Sequence, residues 1–303
     1  MIQALTTLLL LMGSLSWTLG QDYIPYYTHC NEGDKQIYLE NYEAALKEFE
    51  QAFALVDYVH ARSYKQASTA AAFLGQAEKA YAYARLALLH GEDARFLDGK
   101  QYQGFRKKMP FSGLKDSLDT FRQLHEQSID LTYQRICDSL YYVDQRIIRK
   151  NMGVSGDYKI DKSSLPEDLY DLDEEIFAYL LELIAVRGFP SEKNIGPEGY
   201  SKVWVLFHHN LRLPENAAHL PMAKEALIRG EYRPADYAWM YDQSRSIFKK
   251  EQPLFYYGVA DISELTESEK AAIDAVRKEY GIKPLASTEI KRTGKSIRQR
   301  RLW

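Results

Sequence analysis

A motif of small and aromatic residues occurs twice in this chain, 35 positions apart (45 to 80): Ala45, Phe49 and Ala52 return as Ala80, Ala84 and Ala87. Residues at i, i+4 and i+7 fall on one stripe of an α-helix. Alanine on that stripe lets a neighbouring helix approach closely. The segments Asn41-Tyr42-Glu43-Ala44-Ala45 and Gly75-Gln76-Ala77-Glu78-Lys79-Ala80 read as the turn and start of the second helix in each unit. The spacing therefore predicts paired helices from Gly33 to Gly91.

These two units resemble tetratricopeptide repeats, whose period and small-residue stripe are similar. The early aromatic position holds His29 in one unit and Tyr64 in the other, and Asp57 stands where the usual closing proline would be. Two units are fewer than the ~3 that support a free-standing solenoid. Residues Ala94 to Leu124 are therefore expected to add another helical layer, broken near Pro110 and Gly113. An ordinary bundle with a coincidental alanine stripe is the alternative. The resemblance implies a groove that holds a protein or peptide partner.

The 303 residues carry a net charge of −3 and 23 tyrosines. That balance gives neither the positive field of a nucleic-acid binder nor an acidic tail. Abundant tyrosine suits helix interfaces that open toward water. At the start, Leu5 to Met12 is a short apolar run, followed by Gly13, Ser14 and Ser16, then Thr18 and Gly20. It reads as a signal peptide cleaved after Gly20, hence an exported protein, periplasmic or secreted. The run is shorter than the ~20 residues a membrane span needs, so no transmembrane segment is expected. Cys30 and Cys137, the only cysteines, allow one disulfide or two free thiols. No Cys-x-x-Cys redox motif exists.

Further along, Ser128 to Lys150 reads as one helix with the stripe Ile136, Leu140, Val143 and Ile147. Asp144-Gln145 lies at the edge of that stripe. The polar stretch 151–166 follows, whose Asp157 and Asp161 lack calcium-loop spacing. A helix resumes near Asp171, with Ile176, Leu180, Leu183 and Ile184 as its core face, and ends at Gly188-Phe189-Pro190. After Gly196-Pro197 comes a segment apolar on nearly every side, Val203 to Phe207, which must lie centrally. It ends at His208-His209-Asn210. Pro221 and Pro234 start two more helices, Gly230 closing the first. Thr266 and Glu269 form a capping box before a last helix. The chain thus divides into a leader at 1–20, a repeat-like region at 21–125, a helical domain at 126–290 and a basic tail at 291–303. The fold class is all-α.

From about Leu140 the order of signals resembles a bacterial family known only as a domain of unknown function. The matched positions are Asp144-Gln145, Gly188-Phe189-Pro190, His209, Leu220 to Gly230, Asp242-Gln243 and Tyr257-Gly258-Val259. Gln243, Val259 and Phe255 replace an Arg, a Thr and a Gln of the family pattern. The resemblance implies architecture and candidate positions, and no known activity.

Among the candidates, adjacent helix residues His208 and His209 point about 100° apart and cannot share a metal as an i, i+4 pair would. One reads as a carbonyl cap and the other as packing, or His209 as part of a polar site. Asp242 pairs locally with Arg245, or it joins Asp144 and His209 in one cleft able to do acid–base work. Gln145, His208, Tyr257 and Gly258 are the binding candidates. No phosphate loop, Gly-x-Ser-x-Gly elbow, metal set or cofactor motif is present. The neutralised family positions favour a binding or scaffold role; the alternative is a hydrolase-like enzyme around His209, Asp144 and Asp242.

Overall fold

A computed structural model describes residues 21–105, 111–151, 175–211, 214–248 and 265–285. The leader, Pro110, Asp157, Asp161, Phe255, Tyr257, Gly258, Val259 and the basic tail lie outside them, as do the side chains of Gln243, Arg245, Ile247 and Phe248. Every described element is helical, and no strand occurs among the described residues.

Helices α1 (Ile24–Tyr38), α2 (Tyr42–Phe53), α3 (Ala61–Phe73) and α4 (Ala77–Leu89) form two hairpins. Each hairpin turns through a left-handed residue that lets the next amide reach back to an unsatisfied carbonyl. Gly75 takes φ 73° in the second hairpin, where Gln76 N–H donates to the Ala71 carbonyl at 2.9 Å. Glu40 takes φ 60° in the first, where Asn41 N–H donates to the Gln36 carbonyl at 2.9 Å. All six residues of the repeated stripe are buried. The close approach is tightest at Gly33, where a Cβ would lie 2.9 Å from the Phe49 ring.

The third layer is less regular than the sequence implies. Two 3-10 turns, Ala94–Asp98 and Lys100–Tyr102, precede α5 (Phe111–Asp116) and α6 (Leu118–Ser128). Gly113 lies inside α5, and the break falls at Ser117. The helix expected from Ser128 starts instead as α7 (Leu131–Asn151). Asp130 decides this, because its carboxylate accepts from the Tyr133 amide at 2.9 Å and so caps the new helix.

Next come α8 (Glu175–Arg187) and α9 (Glu192–Leu211), the latter bent at Gly196, which has φ 73° and ψ 166°. Helices α7 and α9 run parallel, with α8 as the return between them. Three contacts fix the register: Asp130 N–H to the Asn194 carbonyl at 2.8 Å, Lys202 to Asp138 at 2.8 Å, and His209 to Asp144 at 2.9 Å. Gly199 faces α7 so closely that a Cβ there would meet Gln134 at 2.9 Å. Val203, Leu206 and Phe207 are buried, whereas Trp204 and Val205 are only half-buried, so this helix buries one face rather than its whole circumference. Phe189 stacks on Phe207 with centroids 5.0 Å apart.

Helices α10 (Leu220–Ile228), α11 (Pro234–Phe248) and α12 (Glu267–Glu279) complete the described chain. Thr266 and Glu269 form the expected capping box. One buried apolar cluster runs from Tyr23 and Val59 through Cys137, Leu206 and Ala226 to Ile282. It joins α1 to the helices that follow residue 130. A second cluster, with Phe49, Ala84, Leu97 and Phe121, fills the hairpin layer. Both cysteines are free thiols. No helix among the described residues is long and apolar enough to cross a membrane.

Candidate functional site

The parallel pairing of α7 and α9 brings Asp144 and His209 together, although 65 residues separate them. His209 Nδ1 lies 2.9 Å from Asp144 Oδ2 and 3.1 Å from Oδ1. Gln145 Nε2 donates to the same Oδ2 at 2.9 Å. An ionised carboxylate only accepts, so Nδ1 must carry the proton in this contact. In the neutral ring the lone pair then sits on Nε2, the arrangement a proton-transferring imidazole needs. Asp144 is buried and His209 half-buried.

The neighbouring candidates are placed differently. His208 is buried against indoles, its ring 5.7 Å from Trp204 and 3.9 Å from Trp239. Its ring centroid lies 5.6 Å from that of His209. Asp242 is buried on α11, one turn beyond Trp239. Burial lowers the proton affinity of the Arg277 guanidinium, and the charges of Asp274 and Asp242 oppose that effect. Asp242 thus acts electrostatically toward α12. Among the described residues, no group of three or more His, Cys, Asp or Glu is placed to hold a metal ion.

A second polar centre, which sequence reasoning missed, lies at the seam between the hairpins and the later helices. Glu192 is 1 % exposed. One of its oxygens accepts from the Ala61 amide at 2.8 Å, and the other meets Arg233 at 2.6 Å. His60 Nδ1 lies 3.3 Å from that second oxygen, an ion-pair distance without hydrogen-bond alignment. Burial alone would raise the proton affinity of Glu192, but His60 and Arg233 outweigh it and hold the carboxyl well below its usual range. Arg233 also lies over the Tyr200 ring at 4.5 Å. No local motif announces Glu192.

Helix α1 presents the third candidate. Tyr23 just before it and its residues Tyr27, Asn31 and Asp34 fall on one face, and that face is covered by two distant helix ends. The turn after α10 brings Gly230 (φ 76°) to the Tyr23 ring, where a Cβ would lie 2.4 Å away. The turn after α12 brings Gly281 (φ 63°) to Tyr27, where a Cβ would lie 2.8 Å from the tyrosine Cβ. Asn31 Nδ2 donates to the Gly281 carbonyl at 2.7 Å, and the Lys283 ammonium pairs with Asp34. Gln66 at 3.0 Å and Arg62 at 3.7 Å, both on α3, also reach Asp34. Burial tends to raise the Asp34 carboxyl, but Lys283 and Arg62 bring it below its ordinary value.

The alanine stripes that pointed to a groove are buried between the paired helices and face no solvent. The face of α1 that meets residues 281–283 is largely buried and also contacts α3 through Asp34. No protein-family model, curated protein or solved structure matches this chain.

Proposed function

We propose that this protein binds a protein or peptide segment through its repeat-like helices. One observation carries the reading: side chains of α1 hold a segment 250 residues away through its backbone carbonyl at Asn31 and its lysine at Asp34. Those are the contacts a peptide-recognition surface uses, a carbonyl fixing register and a charged pocket selecting a side chain. The likeness of residues 33–91 to tetratricopeptide repeats supports it. The apolar run at 5–12 and the small residues before Gly20 support a setting outside the cytoplasm. Selection of random displayed peptides on the full chain tests the reading. Enriched peptides should lose binding to Asn31→Ala and Asp34→Ala; no enrichment, or enrichment indifferent to both changes, overturns it.

The Asp144–His209 contact favours a second reading, acid–base catalysis with His209 handling the proton and Asp144 and Gln145 orienting it. Three positions of the resemblance to the uncharacterised bacterial family coincide with these residues. A panel of chromogenic esters and phosphoesters tests it. Any turnover should fall about 10²–10⁴-fold in His209→Ala, and turnover unaffected by that change removes His209 from the chemistry.

A further inference from the structure

We infer that His90 and His125 form a proton-operated joint between the ends of α4 and α6 and the kink of α9. Uncharged, the two rings couple these elements; charged, they draw water into the joint and uncouple them, while the rest of both layers stays folded. This inference stands apart from the binding reading and needs no partner.

The joint is built around the His125 ring. That ring lies between two glycines with left-handed backbones, Gly91 after α4 (φ 86°) and Gly196 in α9 (φ 73°). A Cβ at either position would lie 2.5 Å or 2.7 Å from its Nε2, so the imidazole fills the space between the two turns. Little else ties α6 to α9. Phe121 is the one buried residue of α6, and it belongs to the hairpin cluster. Past the helix, the Ile129 methyl lies 3.5 Å from the Gly196 Cβ position, and the Asp130 amide donates to the Asn194 carbonyl at 2.8 Å. His90 closes α4, its ring 5.2 Å from that of Tyr58 and 5.1 Å from that of Tyr64.

The surroundings do not provide for two further positive charges. Glu192 of α9 acts on both rings, but its oxygens already serve the Ala61 amide and Arg233. Glu126 on α6 favours a charge on His125 and is itself exposed, while His60 at the start of α3 and His125 itself disfavour one on His90. The Leu89 carbonyl at His125 and the Val59 carbonyl at His90 favour the charged rings, yet burial outweighs them and lowers the proton affinity of both. A charge without its own counter-ion is far more stable in water than in apolar surroundings. His125 is only half-buried, so water reaches it without the core opening. The closed joint binds protons weakly, and an open one binds them with the ordinary value of about 6.5. Opening therefore gains nothing above that pH and grows as pH falls through it. It stops at the joint, because Glu192 still ties α3 to α9 and the cluster holding Tyr26, Val59 and Leu206 still ties α1 to the later helices.

The test is amide hydrogen exchange on the full chain at pH 7.5 and 5.5, corrected for the intrinsic pH dependence. The Asp130 amide crosses the joint and reports its opening; amides at 46–52 and 203–207 report the layers on either side. The opening constant at Asp130 should rise at least about tenfold and at most about 100-fold on acidification, up to about tenfold per histidine. The other two stretches should keep their protection. His125→Gln, polar but unable to take the proton, should limit the rise to about tenfold at most. A smaller rise in the unaltered chain, or an undiminished one in the variant, overturns the inference. So does a rise shared by 46–52 and 203–207, which would place the effect in the whole fold. Should His125→Gln fail to fold by circular dichroism, His90→Gln takes its place with the same expected reduction.

Discussion

Glu192 and Arg233 meet at 2.6 Å across 41 residues, and the same carboxylate receives the Ala61 amide. One buried side chain therefore ties α3, α9 and the start of α11. Glu192→Gln keeps the shape and removes the charge. Breaking a buried pair from one side costs about 3–5 kcal/mol. Arg233 keeps 35 % of its side chain in solvent, which places the loss near the lower end. The urea midpoint should fall accordingly, and an unchanged midpoint would show that the seam is held by packing alone.

His90 and His125 should make the fold sensitive to mild acid. Burial lowers the proton affinity of both rings, against the opposing charge of Glu192; His60 and His125 add to the lowering at His90, and Glu126 opposes it at His125. His125 is enclosed by two glycines, a Cβ at Gly91 or Gly196 lying 2.5 Å or 2.7 Å from its Nε2. A base with lowered affinity in the fold is protonated first in the unfolded chain. Its contribution is complete above the unfolded value of about 6.5 and declines as pH falls through it. Unfolding free energy should drop between pH 7 and 5.5, with a shallower slope in His125→Gln.

Gly230→Ala should destabilise through backbone and contact together. The left-handed conformation costs a residue with a Cβ about 1–2 kcal/mol. The added methyl also meets the Tyr23 ring at 2.4 Å. Thermal melting should show a drop of several degrees. Gly75→Ala, with a similar φ of 73° but nothing within 4 Å, should lose only the backbone part.

Neither thiol should react readily in the folded protein. Burial pushes the Cys30 thiol up to about 12 and raises Cys137 further. Thiolate is the reactive form, so a colorimetric thiol reagent at pH 8 should report almost no signal until guanidinium is added, and then two equivalents. Prompt native labelling of Cys137 would contradict its burial.

The helical elements were legible where one residue type solves one local problem. The Ala45 and Ala80 stripes, the Thr266–Glu269 box, the glycines at 75, 188 and 230, and the all-round apolar run at 203–207 each gave their element from neighbouring residues alone. What escaped was pairing between distant segments. Asp144 and His209 were both candidates, yet their contact follows from the parallel register of α7 and α9, which no short-range pattern encodes. Glu192, Asn31 and Asp34 look like ordinary surface polar residues until distant segments fold onto them.

The bond between Asn31 and Gly281 spans 250 positions. A ribosome adding about 5–20 residues per second makes the donor roughly 12 to 50 seconds before the acceptor. During that interval the tyrosines of α1 have no covering turn, and the nascent hairpins must wait, wet on one side, until residues 281–283 have been translated.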